Sequence, residues 1–97
     1  MAVIVTASVT IRPDKVAEAI AFMKERLPDT RSADGCRFLE VSEDKDRPEV
    51  LFSYSRWDSI EQYETYTAWR TETGVMAAFG EFVAEPPVTT FYETIDL

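Results

Sequence analysis

Tyr54, Trp57, Tyr63, Tyr66 and Trp69 crowd the segment Glu49–Arg70, EVLFSYSRWDSIEQYETYTAWR. Rings of this kind can stack on a flat organic molecule, and a phenol at a pocket wall can donate a hydrogen bond to its oxygen. Tyr66 is the leading candidate for that role, against the alternative of a helix core residue with its hydroxyl at a rim. Trp57 reads as a packing anchor or as part of a substrate wall. Tyr54, Tyr63, Trp69, Met76 and Phe79 are further candidates for contact with a ligand. Arg37 and Arg56 could hold a substrate oxyanion, or pair with local acids.

The chain has no histidine. The side chain best suited to moving protons near neutral pH is therefore missing. A base would have to be a carboxylate, a tyrosinate or water. One cysteine and scattered acids make poor metal ligands. No phosphate loop or nucleophile elbow occurs. The expectation is no metal and no cofactor. Cys36 reads as a small core residue.

These residues need a scaffold. Val3–Ile11 alternates as a strand with one clean apolar face. Pro13 and Asp14 suit a first helical turn. Val16, Ala19 or Ile20, Met23 and Leu27 then form an apolar stripe, and Pro28 should end or kink the helix. Asp29–Gly35 reads as a loop, Cys36–Glu43 as a second strand and Asp44–Pro48 as a hairpin connection. In the third strand, Val50–Trp57, Val50, Phe52, Tyr54 and Arg56 share one face. Leu51, Ser53, Ser55 and Trp57 share the other. Asp58 or Ser59 starts a second helix, with Glu61 or Gln62 completing a capping box. Gly74 breaks or bends it, Val75, Met76, Phe79, Phe82 and Val83 resume helical spacing, and Pro86-Pro87 stops it. Thr89–Ile95 is the last strand.

The order is β-α-β-β-α-β. It predicts an α+β, ferredoxin-like fold with both helices on one face of a four-stranded antiparallel sheet. The third strand is apolar on both faces, so the uncovered face would be an apolar patch unless a second copy covers it. A homodimer is expected.

The 97 residues are expected to form one domain, 1–97. A hydrophobic share of 45% is ordinary for a folded protein. With 10 basic and 18 acidic residues the net charge is −8, which disfavours nucleic acid and anionic membranes as partners. The amino terminus carries no leader pattern or spanning segment, and a single cysteine suits a reducing compartment. The reading is cytoplasmic.

With "IRPDK", "DGCRFLEV", "LFSYSRWDS" and "VMAAFGEF" in these places, the sequence resembles the antibiotic biosynthesis monooxygenase family. The resemblance covers nearly the whole chain. It implies a dimeric α/β barrel, and either a cofactor-independent oxygenase of quinol or anthrone type, a haem-degrading enzyme, or a protein of another task. A small aromatic or apolar ligand is implied. Three departures stand out. Ser55 replaces a frequent glutamate. Tyr66 stands where quinol-type members carry histidine and haem-degrading members tryptophan. Phe79 or Gly80 falls where the haem-degrading members keep a ligand histidine. The absence of histidine argues against haem degradation by that route, and a non-catalytic ligand-binding dimer remains the alternative to an oxygenase.

Overall fold

A computed structural model describes residues 2–97. Strand β1 (Val3–Ile11) passes through a 3-10 turn (Pro13–Lys15) into helix α1 (Val16–Arg31). Strands β2 (Cys36–Glu43) and β3 (Val50–Trp57) form a hairpin, closed where Asp44 Oδ1 accepts from the backbone N–H groups of Asp46 and Arg47. Helices α2 (Ile60–Glu72) and α3 (Val75–Gly80) precede strand β4 (Val83–Glu93). The sheet is antiparallel throughout, in the order β2-β3-β1-β4. This is the expected ferredoxin-like α+β architecture, with the helices on one face.

Strand alternation decides what the helices meet. The inner face of β1 carries Val3, Val5, Ala7 and Val9, opposite Trp57, Ser55, Ser53 and Leu51 of β3. Bulky residues sit at the two ends of this face and small ones in the middle. One core cluster, Val3, Val5 and Trp57, packs under Ile60, Tyr63 and Tyr66. The other, Ile11, Ala19 and Leu51, packs under Val16, Met23 and Phe79. Between them Ala7 and Ser53 are too short to reach the helices. Of the two candidates for the α1 stripe, Ala19 is buried and Ile20 is exposed.

The outer face carries Phe52, Tyr54 and Arg56 of β3, with Phe38 of β2 and Val88 and Tyr92 of β4 beside them. Phe38 and Tyr54 meet edge to face, with centroids 6.0 Å apart. All five large apolar side chains in this set are exposed.

Three local expectations are corrected. Helix α1 does not stop at Pro28 but runs to Arg31, so Asp29–Arg31 is helix rather than loop. A proline costs a helix one N–H donor and crowds the turn before it. Here Arg70 on α2 donates to the Arg26 carbonyl (2.7 Å) and to Thr30 Oγ1 (3.1 Å), and so fastens the final turn from outside. Second, α3 ends at Gly80, so Phe82 lies in a turn and Val83 begins a strand. Third, Pro86-Pro87 does not end a helix; it lies inside β4. β4 is an edge strand, and the register slips at the prolines: Val88 faces Ser8 while Glu85 faces Thr10. Edges and bulges are where a sheet tolerates proline.

Gly74 separates α2 from α3 with φ +82°, a left-handed conformation. Gly35 holds φ +87° just before β2, and its carbonyl accepts from the Asp58 N–H (2.9 Å). A Cβ at Gly35 would lie 2.6 Å from the Gln62 side chain. Gly35→Ala is expected to lower stability by roughly 1–3 kcal/mol through backbone strain and this clash. Urea unfolding checks it; an unchanged midpoint would mean that the turn relaxes freely.

Candidate functional site

Ser59 sets the start of α2. Its Oγ accepts from the Gln62 N–H (3.3 Å) and donates to Gln62 Oε1 (2.9 Å). Gln62 Nε2 donates in turn to Asp34 Oδ2 (3.2 Å), tying the cap to the loop before β2. A helix begun there turns Tyr63, Tyr66 and Arg70 toward the sheet, because three- and four-residue steps share a face.

Trp57 lies beneath them and is 1% exposed. Its ring meets Tyr63 at 5.4 Å and 77°, and Tyr66 at 5.2 Å and 37°. Its Nε1 donates to Ser55 Oγ (3.0 Å), which donates to the Val5 carbonyl (3.3 Å). The indole is thus fixed at both its apolar and its polar end.

Over the small residues of the sheet centre lies a cavity of about 290 Å³. That is near the lower end of the roughly 300–1,000 Å³ usual for small-molecule sites. Its floor is Ala7, Ser53 and Ser55, and its roof is drawn from all three helices. The wall is mostly apolar. Among the described residues its only charged ones are Arg26 and Arg70, and none is a carboxylate. Arg26 stacks on Phe22 with 3.6 Å from guanidinium carbon to ring centroid, and pairs with Glu25 (3.4 Å).

Arg70 is only 4% exposed and pairs with no acid among the described residues. Nε donates to the Tyr66 hydroxyl (2.9 Å), and Nη2 to the Arg26 carbonyl and Thr30 Oγ1. Tyr66 and Thr30 share a hydrogen bond as well. The guanidinium also sits 4.7 Å from the Trp69 ring centroid. A buried cation without a counter-ion is costly. Neutral acceptors, an aromatic face and the carbonyl end of α1 reduce that cost.

Of the residues singled out from sequence, Trp57, Tyr63, Tyr66, Met76 and Phe79 line this cavity. Trp69 does not; it is exposed and supports Arg70 from outside. Tyr54 and Arg56 project from the opposite face of the sheet. Arg37 is also remote: its Nε and Nη2 donate to the two Asp58 oxygens (2.8 and 2.6 Å) on the surface. That pair holds the Asp58 carboxyl below the usual carboxylate range. Cys36 is half-buried, and burial pushes its thiol up, away from the reactive thiolate. Burial likewise pushes the Tyr63 phenol up.

Arg70 and Thr30 were not singled out from sequence. The signal for Arg70 was its place seven residues after Tyr63 on the buried face of α2. Their bonds also change what Tyr66 is expected to do. A free hydroxyl could be removed with little effect on folding, but this one has two protein partners. Tyr66→Phe is expected to cost roughly 1–3 kcal/mol of stability, because it breaks two hydrogen bonds and leaves the buried Arg70 Nε without its acceptor. Thermal unfolding checks it; no loss would mean that the hydroxyl is idle in the fold.

The family model for antibiotic biosynthesis monooxygenase matches residues 2–84. Among solved structures, a Mycobacterium tuberculosis protein is 25% identical with TM-score 0.87, over 100% of this chain and 98% of that one. A Deinococcus radiodurans protein is 24% identical with TM-score 0.86, over 98% and 94% of the two chains. A conserved Methanosarcina mazei protein is 19% identical with TM-score 0.90, over 98% and 94%. No curated protein matches significantly. With this fold, and a family match across most of its length, the chain belongs to the antibiotic biosynthesis monooxygenase family.

Proposed function

We propose that the protein is a cofactor-independent monooxygenase that oxidises a small planar phenolic, quinol or anthrone-like compound with O₂ inside the cavity. The observation that carries this reading is an apolar cavity, floored by small residues, with a buried guanidinium in its wall. An anthrone-type substrate shows the balance. Loss of a proton gives a conjugated enolate reducing enough to donate electrons to O₂. A C–O bond forms, the peroxide takes up a proton, and water leaves. A CH₂ group and O₂ become C=O and H₂O, and no outside reductant is needed. Arg70 would stabilise the enolate and peroxide oxygens electrostatically. Trp57, Tyr63 and Phe79 would hold the ring system flat, and the apolar wall would exclude bulk water.

The supporting experiment is oxygen uptake with a panel of quinols and anthrones in the presence of chelator. Uptake matched to product supports the reading. Binding without turnover across the panel would favour the second reading, a non-catalytic carrier of a small aromatic ligand. That alternative draws on one observation: the cavity wall holds neither carboxylate nor histidine to serve as a base.

We further propose that two copies pair through the outer sheet face, where Phe52, Tyr54 and Tyr92 are exposed. Light scattering at micromolar concentration is expected to give twice the chain mass, and Phe52→Glu to return the monomer. A monomeric parent protein would remove the proposal. The single cysteine suits a reducing compartment, and we place the protein in the cytoplasm.

A further inference from the structure

We infer that the cavity takes its ligand as a preformed organic oxyanion, the ionised oxygen of a planar aryl acid, docked on Nη1 of Arg70. This deepens the reading above, since it assigns a substrate class to the same cavity.

The first observation is the distribution of bonds around the guanidinium. Nε and Nη2 make all three of its hydrogen bonds, every one to a neutral acceptor. Nη1 makes none. Yet no side-chain nitrogen sealed from all solvent lacks a partner among the described residues. Nη1 therefore keeps some open surface, and Arg70 belongs to the wall of the cavity. Nη2 clamps α2 to the end of α1, Nε braces Tyr66 within α2, and Nη1 is spare. A buried cation with a spare donor and no acid beside it suits an anion.

The second observation concerns protons. The titratable groups of the wall are Arg26 from α1 and Tyr63, Tyr66 and Arg70 from α2; β1, β2, β3, β4 and α3 add none. Arginine stays charged and cannot act as a base near neutral pH. The Tyr63 phenol is pushed up by burial, which makes its tyrosinate scarcer. No wall group is placed to take a proton from a bound phenol. A ligand that loses its proton in water before entry needs no such group. The chemistry favours acidic aryl hydroxyls, such as those conjugated to a carbonyl, and aryl carboxylates, over simple neutral phenols.

The test uses two bicyclic probes of similar shape, 2-naphthoate and 2-naphthol, titrated at neutral pH and followed by tryptophan fluorescence and calorimetry. The carboxylate is expected to bind at least about tenfold tighter, the size of one charge-assisted hydrogen bond. In Arg70→Gln the preference should fall to within about twofold. A second arm uses the unaltered protein and 4-nitrophenol, whose ionisation is read by absorbance. Binding should lower its apparent pKa, because the anion is the form that docks. This arm decides the matter if Arg70→Gln does not fold, and it separates phenolate from carboxylate recognition. Equal affinity for the two naphthalenes, a preference that survives Arg70→Gln, an upward shift of the nitrophenol, or failure of all three probes to bind would each overturn the inference. Oxygen uptake plays no part in these readouts. A protein that binds the anions but consumes no oxygen would end the oxygenase reading and leave this one standing.

Discussion

Arg70→Gln is expected to lower turnover by about 10²–10³-fold with the best substrate of the oxygenase panel, the cost of losing one preorganised oxyanion donor. Arg70 faces two negative charges in turn, the one the substrate brings on its ionised oxygen and then the one that forms on the peroxide. Arg70 is the one cation in the cavity wall without an acid partner, so its field is not already neutralised. Burial at 4% exposure keeps water from screening it. Glutamine offers hydrogen bonds without charge, which isolates the electrostatic part. The loss should divide between KM, because the substrate docks as an anion on Arg70, and kcat, because the peroxide charge forms only after binding. Arg70→Lys keeps the charge but loses the planar fork and its clamp, and should recover only part of the rate. Melting curves of both variants guard against a trivial folding defect, since Arg26, Thr30 and Tyr66 each lose a partner. Turnover within about threefold of the parent protein would reduce Arg70 to a structural clamp and remove the oxyanion role.

The sheet and the start of α2 were legible because their signals are local. Alternation in β1, β2 and β3 reads directly as pleat, and Ser59 with Gln62 reads directly as a cap. The same alternation already put Tyr54 and Arg56 on the face opposite Trp57. Grouping them with Trp57 in one site overlooked a constraint that the strand itself supplies. It also showed Ser53 and Ser55 facing inward beside Ala7, the small residues that leave room for the cavity. The features that did not show depend on distant partners. Nothing near Pro28 in the sequence shows that Arg70, far along the chain, holds the last turns of α1 through the Arg26 carbonyl. Pro86-Pro87 can sit in a strand because that strand is at the edge of the sheet, which only the assembled topology reveals. Arg70 looks like any helical arginine until the fold removes its solvent and supplies no acid.

Trp57→Ala is expected to destabilise the fold by about 3–5 kcal/mol, the usual cost of deleting a large buried aromatic side chain. Domains have a total stability of only about 5–15 kcal/mol, so this one change removes a large part of it. Trp57 is 1% exposed and is the largest fully buried side chain among the described residues. Its ring carries Tyr63 and Tyr66 from above and packs with Val3 and Val5 in the sheet below. Removing it opens a space under the first turns of α2 that joins the existing cavity. The two tyrosines would then lose the surface that fixes their angle, and Tyr66 would hold Arg70 and Thr30 less well. Trp57→Phe separates the two halves of the effect. It keeps a ring against both tyrosines and removes the Nε1 donor. Ser55 Oγ still donates to the Val5 carbonyl, so no buried polar group is orphaned. Its cost should therefore be clearly smaller than that of alanine. Urea unfolding at one fixed protein concentration measures both, because dimer formation would make stability concentration-dependent. A loss below about 1.5 kcal/mol for Trp57→Ala, or equal losses for the two variants, would show that the indole's packing is not what holds α2 over the sheet.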